Sequence, residues 1–308
     1  MAELHRILVT GAGGGSGGVG GMVVRQLSAR RVPVRALVHH EDDRAQALRD
    51  LDGVEVVVGD LTSGPDVVAA LDGCQRLYFG MSVSSEYLQA AATVAAAALD
   101  TGGVELLVNM SQMTVSQMSL TSTAESAHQH LHFLAEHVFT WSCLPVTEIR
   151  PTVFMENPFF STLAATSIRR DGTIRLPFGS GRTSPVATRD VADVVVRLLT
   201  EPPGHVGRVY ELTGATSRDM TAIAGEFSNL LRRPVRYVDA PYEEWLDQDL
   251  KPLGLSPHLF EHLATMARLH KQGRYDRVTK DITDLLGRPP SGFGSLVDET
   301  PALQQAAA

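Results

Sequence analysis

The stretch Arg6-Ile7-Leu8-Val9-Thr10-Gly11-Ala12-Gly13-Gly14-Gly15-Ser16-Gly17-Gly18-Val19-Gly20 decides the fold. Arg6–Thr10 is a short apolar run of the kind a buried strand shows, and Val19–Ala29 carries helical spacing. Glycines between a strand and a helix answer three physical needs. One lets the chain turn sharply off the strand, another leaves no Cβ between the backbone and a pyrophosphate, and a third lets the helix pack on the strand. The helix N-terminus then offers unpaired N–H groups and a partial positive charge to a phosphate. A flexible linker is the competing reading, and the flanking strand and helix argue against it. Gly11, Gly13, Ser16, Gly17, Val19 and Gly20 are the residues expected to cradle the phosphates.

Outward from this stretch, strands and helices alternate. Strands are expected at Pro33–Val38, Val54–Gly59, Arg76–Phe79, Leu106–Met110 and Val146–Arg150. Helices are expected at Ser63–Leu71, Ser84–Leu99 and Ala124–Thr140. Continuous apolar strands in such a rhythm mean a parallel sheet covered on both faces, and right-handed crossovers make it doubly wound. After Pro151 the rhythm becomes irregular. Helical patterns at Phe159–Arg170, Val191–Thr200 and Thr221–Leu231 mix with short strands at Thr173–Leu176, Val209–Leu212 and Val235–Val238. The expected organisation is a Rossmann-like α/β domain over residues 1–155 and a smaller α/β substrate lobe over 156–308, interleaved with the first rather than independent. Gln304–Ala308 reads as a frayed tail.

Bulk properties narrow the function. The 308 residues carry 35 acids against 27 bases, a net charge of −8, so nucleic acid is not expected as a partner. The two cysteines, Cys74 and Cys143, are far apart and fit neither a disulfide framework nor a zinc ribbon. The start lacks a secretory pattern, and the apolar stretch Ala90–Leu99 is too short to span a bilayer. A reduced, cytoplasmic protein without a membrane partner is expected. The second strand ends Leu37-Val38-His39-His40, with Arg44 soon after, where an acid would serve the ribose hydroxyl of NAD. That leans towards the 2′-phosphate of NADPH, with NADH kept open by Glu41 and Asp42.

At these residues the chain resembles the NmrA-like group of atypical short-chain dehydrogenases/reductases, close to type-2 quinone oxidoreductases and triphenylmethane reductases. The opening is similar to the group's ILVTGATGxxG, with three extra residues between Ala12 and Gly17. Val57-Val58-Gly59-Asp60-Leu61 resembles V-x-G-D-L, where the acid lies beside adenine. Cys143–Pro151 (CLPVTEIRP) resembles GLPYTILRP, and Phe154-Met155-Glu156-Asn157 resembles F-x-E-N. Thr188–Asp193, Tyr210–Gly214 and Gly287–Pro290 follow in the group's order. The resemblance implies that the glycine loop, His39, Asp60, Leu61, Met81-Ser82-Val83 and Asn109-Met110-Ser111 line the cofactor site. It also implies that Pro151, Thr152, Val153 and Phe154 lie near the nicotinamide.

The helix 127–136 departs from the Tyr-x-x-x-Lys pair of most short-chain dehydrogenases. His132 with Ala135-Glu136 resembles the H-x-x-T-E of quinone oxidoreductase relatives, and His128 lies one turn earlier. In one reading His132 bonds the cofactor or substrate and His128 donates a proton. In a second, His128, His132 and Glu136 ligate a metal; no HExxH supports it, and no metal is expected. In the third they only pack. Met113, Met155, Asn157 and Phe159 are expected to shape an apolar substrate pocket, with Met81, Met110, Met118 and Phe154 nearby, against the alternative that these are core residues. The function expected is hydride transfer from NADPH to a small apolar or aromatic acceptor, a quinone, ketone or imine. The alternative is an NmrA-like nucleotide-sensing regulator without turnover. A homodimer is left open.

Overall fold

The computed structural model describes residues 6–13 and 18–305. Its strands are β1 Arg6–Val9, β2 Val34–Val38, β3 Val54–Val58, β4 Cys74–Phe79, β5 Leu106–Met110, β6 Val146–Pro151, β7 Thr173–Leu176, β8 Arg182–Thr183, β9 Val209–Leu212, β10 Arg218–Asp219 and β11 Arg236–Asp239. The helices of the first half are α1 Val19–Ala29, α2 Asp43–Arg49, α3 Gly64–Leu71, α4 Tyr87–Thr101, α5 Ala127–Trp141 and α6 Thr162–Asp171. Those that follow are α7 Thr188–Thr200, α8 Met220–Leu231, α9 Tyr242–Trp245, α10 Pro257–Lys271, α11 Asp281–Leu286, α12 Phe293–Glu299 and α13 Pro301–Gln304. Two compact units divide the chain, one from residues 1–115, 130–150 and 191–210, the other from 116–129, 151–190 and 211–308.

The first unit is built on a seven-stranded sheet in the order β3-β2-β1-β4-β5-β6-β9. The pairs from β3 through β6 are parallel. The order reverses at β1, whose neighbours β2 and β4 lie on opposite sides, and open sheets of this kind bind ligands at that crevice. Ile7, Leu8 and Val9 are almost wholly buried, as a strand covered on both faces requires. Alternate strand residues Leu8, Leu37, Leu77, Phe79 and Leu107 form a core with the alanine-rich face of α4 and with Ala135 and Phe139 of α5. Arg35 breaks the apolar pattern of β2 for a local reason. Its guanidinium donates to the Ala70 and Asp72 carbonyls at 2.9 and 2.6 Å, where α3 ends.

The second unit holds a parallel pair, β7 with β11, and an antiparallel pair, β8 with β10. Its core gathers Phe159, Phe160, Phe178, Phe227, Trp245 and Phe293, all fully buried. Each such aromatic contributes about 2–3 kcal/mol of transfer free energy. The helices α9 to α13 lie outside the expected elements. α10 runs fifteen residues behind a Ser256 cap and Pro257 at its first position, and α12 packs Phe293 into the core. Within the first unit, the short α2 also lies outside the expected elements.

Candidate cofactor site at the strand ends

The end of β1 is tied to the end of β4 before any ligand arrives. Thr10 Oγ1 donates to the Gly80 carbonyl at 2.8 Å and accepts the Gly80 amide at 3.0 Å. Gly11 takes φ +64, and a Cβ there would lie 2.5 Å from the Gly80 oxygen. A Cβ on Gly20, in the first turn of α1, would lie 2.8 Å from both the Thr10 and Gly11 oxygens. Only glycines allow the helix to start this close to the strand. At Gly13 a Cβ would meet Val38 at an ordinary 3.5 Å, so packing does not demand glycine there. The residue at the start of α1 is Gly18, which has no side chain to cap the helix. Ser16 and Gly17 lie outside the described residues.

A cavity of about 370 Å³ opens beside this turn. The ends of four adjacent strands line it: Gly11 and Gly13 after β1, Val38–His40 after β2, Gly59–Leu61 after β3, and Met81 and Ser82 after β4. Arg44 and Asp42 contribute from the start of α2. Of the expected cofactor residues, Gly11, Gly13, His39, Arg44, Asp60, Leu61, Met81 and Ser82 are thus brought together; Val19, Gly20 and Val83 are not part of the lining. His40, Asp42, Gly59, Ser84 and Glu86 line it as well, outside the expected set. Gly59 was legible in the V-x-G-D-L run, whereas Ser84 and Glu86 carry no signal in sequence.

The two aspartates here are already engaged. Asp42 caps α2, its Oδ1 accepting the Arg44 and Ala45 amides at 3.0 Å each. Its Oδ2 accepts Arg44 Nε at 2.8 Å. The Arg44 guanidinium, with the Ala45 amide, holds the Asp42 carboxyl below the usual range. Glu41 is held by Arg49. Asp60 accepts the Thr62 amide and hydroxyl, both at 2.8 Å, and these bonds lower its pKa, with a smaller contribution from His39. His39 and His40 pack edge to face, ring centres 4.2 Å apart.

Further along the sheet, the ends of β5 and β6 carry a buried polar layer. The Glu136 carboxylate of α5 accepts Arg150 Nε at 2.9 Å and the Ser111 hydroxyl. Asn109 Nδ2 donates to Glu148 Oε2 at 2.6 Å. His132 is buried against Tyr87, ring centres 3.9 Å apart, and the Tyr87 hydroxyl donates to the Met110 carbonyl at 2.7 Å. Asn109, Met110, Ser111 and His132 are outside the lining of the described cavity. His128 belongs to the other unit, with its ring 4.9 Å from His262 and 5.5 Å from His258. His262 Nδ1 pairs with Ser126 Oγ at 2.8 Å, and burial pushes its pKa down to about 3. Glu136 is committed to Arg150 and Ser111, and among the described residues no group of three or more His, Cys, Asp or Glu is placed to hold a metal.

The residues expected to shape the substrate pocket fall differently. Met155 and Phe159 belong to the second unit's core, 3% and 0% exposed, and Val153 joins them. This is packing against other side chains, the alternative left open in the sequence. Met113 is buried in a 3-10 turn over Met113–Gln117. Asn157 turns the chain, its Oδ1 accepting the Phe159 amide at 3.1 Å. The Thr152 amide donates to the Leu212 carbonyl at 2.9 Å, Phe154 bridges to Val186, and Pro151 ends β6. Among the described residues no helix is long and apolar enough to cross a membrane.

A glycine turn that admits no Cβ and a crevice at the sheet's switch point fit a dinucleotide, and comparison with known families agrees. A profile of the NAD(P)H-binding family matches residues 14–202, and the chain belongs to that family. It is 32% identical over 295 residues to (4-alkanoyl-5-oxo-2,5-dihydrofuran-3-yl)methyl phosphate reductase of Streptomyces griseus, covering 93% of this chain and 95% of that one. It is 29% identical over 282 residues to the NAD(P)H azoreductase of Xenophilus azovorans, covering 91% and 93%. The fold is shared with an NADPH-dependent quinone oxidoreductase of Escherichia coli complexed with NADPH (TM-score 0.80, 24% identity, 95% and 98% covered). It is shared also with NmrA, a negative transcriptional regulator in complex with NADP (TM-score 0.77, 16% identity, 99% and 95% covered).

Proposed function

We propose that this protein is an NADPH-dependent reductase of the atypical short-chain dehydrogenase type, passing hydride to a small conjugated acceptor such as a quinone, azo compound, ketone or imine. The observation that carries the reading is the crevice at the β1–β4 switch point, with Gly11 pressed against Gly80 and Arg44 held at the rim by Asp42. Gly11, Gly13, Val19 and the first amides of α1 receive the pyrophosphate. Asp60 and Leu61 border the adenine. Arg44 and His39 face the 2′-phosphate, because both oxygens of Asp42 are occupied and the acid is not offered to a ribose hydroxyl. Met81, Ser82 and Val83 after β4 and Asn109, Met110 and Ser111 at the end of β5 continue the site towards the nicotinamide.

Bound NADPH supplies the hydride. The chain's part is to hold the acceptor and cofactor in line and to exclude water. An acceptor that already delocalises the incoming charge needs no tyrosine–lysine pair, and the helix 127–136 offers none. His132, fixed on Tyr87, is the residue assigned to the cofactor side. His128, packed with His258 and His262, is assigned to the second unit's interior. The curated relatives, both reductases by name, support turnover. The second reading, a nucleotide-sensing regulator, is favoured by the fold shared with NmrA and by the missing tyrosine. Mixing the protein with NADPH and a panel of quinones and azo dyes, and following loss of reduced-nicotinamide absorbance, separates the two. Oxidation with at least one acceptor is expected. Tight NADPH binding without turnover on any acceptor would leave the regulator standing.

A further inference from the structure

One acid in the wall of the strand-end cavity is engaged by nothing in the chain. Asp42 is taken up by Arg44 and Ala45, and Asp60 by Thr62. Glu86 lines the same cavity, and among the described residues its carboxylate enters no hydrogen bond or ion pair. It stands at the N-cap of α4 without capping it. Its backbone is nevertheless fixed. The Glu86 amide donates to Ser84 Oγ at 3.1 Å. The next residue, Tyr87, is fully buried, and its hydroxyl donates to the Met110 carbonyl at 2.7 Å.

A carboxylate can only accept hydrogen bonds. The dinucleotide brings a pyrophosphate and a 2′-phosphate to this cavity, so an acid in its wall repels the ligand unless it meets a donor there. Covalent connectivity says which donor. The adenine base hangs from the ribose carbon next to the one that bears the 2′-phosphate. With that phosphate at Arg44 and His39, and the pyrophosphate at Gly11 and Gly13, the lining left for the base is Leu37, Gly59–Leu61 and the residues Met81, Ser82, Ser84 and Glu86. Helix packing brings the last two groups together. Val67, Ala70 and Leu71 of α3 share a core with Ala90, Ala91 and Val94 of α4, and Leu61 and Met81 pack against it. These two side chains offer apolar surface to a flat base, and Glu86 offers the free acceptor. On adenine the 6-amino group is the donor, and the ring nitrogens accept.

We propose that Glu86 is a specificity-determining residue of the cofactor site, accepting a hydrogen bond from the 6-amino group of adenine and so selecting adenine over a 6-oxo purine. The inference rests on the reading of this cavity as the adenosine end of an NADPH site. A 6-oxo purine turns an acceptor oxygen towards the carboxylate, which repels it.

The test is binding of NADPH and of its deamino counterpart, in which hypoxanthine replaces adenine, by calorimetry on the full chain and its Glu86→Ala and Glu86→Gln variants. The wild type is expected to bind NADPH about tenfold more tightly than the deamino form, the low end for a hydrogen bond to a charged group because Glu86 is exposed. E86A should bind the two within about twofold, weaker than wild type for NADPH. The E86Q amide can accept from a 6-amino group and donate to a 6-oxo group, and it too should bind the two within about twofold. Equal wild-type affinities, or an E86A protein that keeps the wild-type ratio, would overturn the proposal. A general loss of structure lowers both affinities together and leaves that ratio unchanged, so it does not mimic the expected result. A wild-type chain that binds neither nucleotide would overturn the cofactor-site reading itself, and this proposal with it.

Discussion

At the scale of single residues, the choice between the two nicotinamide cofactors comes down to who holds Arg44. The Asp42–Arg44 pair is exposed and adds little to stability. Its effect is geometric: the acid fixes a planar guanidinium at the cavity rim while consuming its own acceptor capacity. Arg44→Ala should weaken NADPH binding by roughly 10- to 100-fold, the worth of about 1.5–3 kcal/mol for bonds to a charged group, and leave NADH within about twofold. Titrating both cofactors into both proteins measures this, and equal losses would remove the 2′-phosphate role. His132 makes a second case. Its buried ring covers Tyr87, so His132→Ala should lower turnover or cofactor affinity while the chain stays folded. Steady-state kinetics indistinguishable from wild type would dismiss the role.

At the scale of elements, the first turn of the sheet and the capping of α7 show how sequence motifs become geometry. Gly11→Ala forces an L side chain into left-handed backbone, at a cost of at least about 1–2 kcal/mol, and drives its Cβ into the Gly80 carbonyl. A lower melting temperature together with lost NADPH binding is expected, and retained binding would contradict the cradle. The F-x-E-N acid turns out to act on another element. Glu156 accepts the Thr188 amide at 3.0 Å and its hydroxyl at 2.6 Å, so it caps α7 from a distant loop. Glu156→Ala should cost about 1–2 kcal/mol, the usual loss on removing a helix cap, read as a fall in the denaturation midpoint. Elements with strong local signals were legible: β5 and β7 fall on their expected residues, as does α1. The seven-residue α2 was not, because DRAQALR is too short and too polar for periodicity to register. The Ser256-Pro257 start of α10 was a readable cap signal, yet its histidine-rich body diluted the apolar stripe.

At the scale of the whole molecule, buried histidines tie stability to acid. His270 lies between Phe178 and Tyr275, ring centres 4.1 and 4.0 Å away, and its Nδ1–H donates to the Met266 carbonyl at 2.7 Å. Burial lowers both His262 and His270 to about 3 from 6.5. In the folded chain both stay neutral while the unfolded chain takes up protons below pH 6.5, so stability is lost as pH falls from there towards 3. Each group weakens the folding equilibrium by up to about tenfold per pH unit in that window. Melting curves should fall steadily on acidification below that point, and His270→Phe, which keeps the aromatic sandwich without titrating, should fall less steeply. Parallel curves would show that His270 is not the cause.

The sequence by itself determined the alternating parallel sheet and the glycine turn, because each rests on local chemistry: burial on two faces and a backbone that admits no Cβ. Tertiary structure alone decided what the polar side chains meet. Asp42 turns to Arg44, Glu136 to Arg150, Glu148 to Asn109, Glu156 to Thr188, and Met155 and Phe159 go into a core. Most of these partners lie far apart along the chain, and a hydrogen bond's worth depends on the burial that only packing creates.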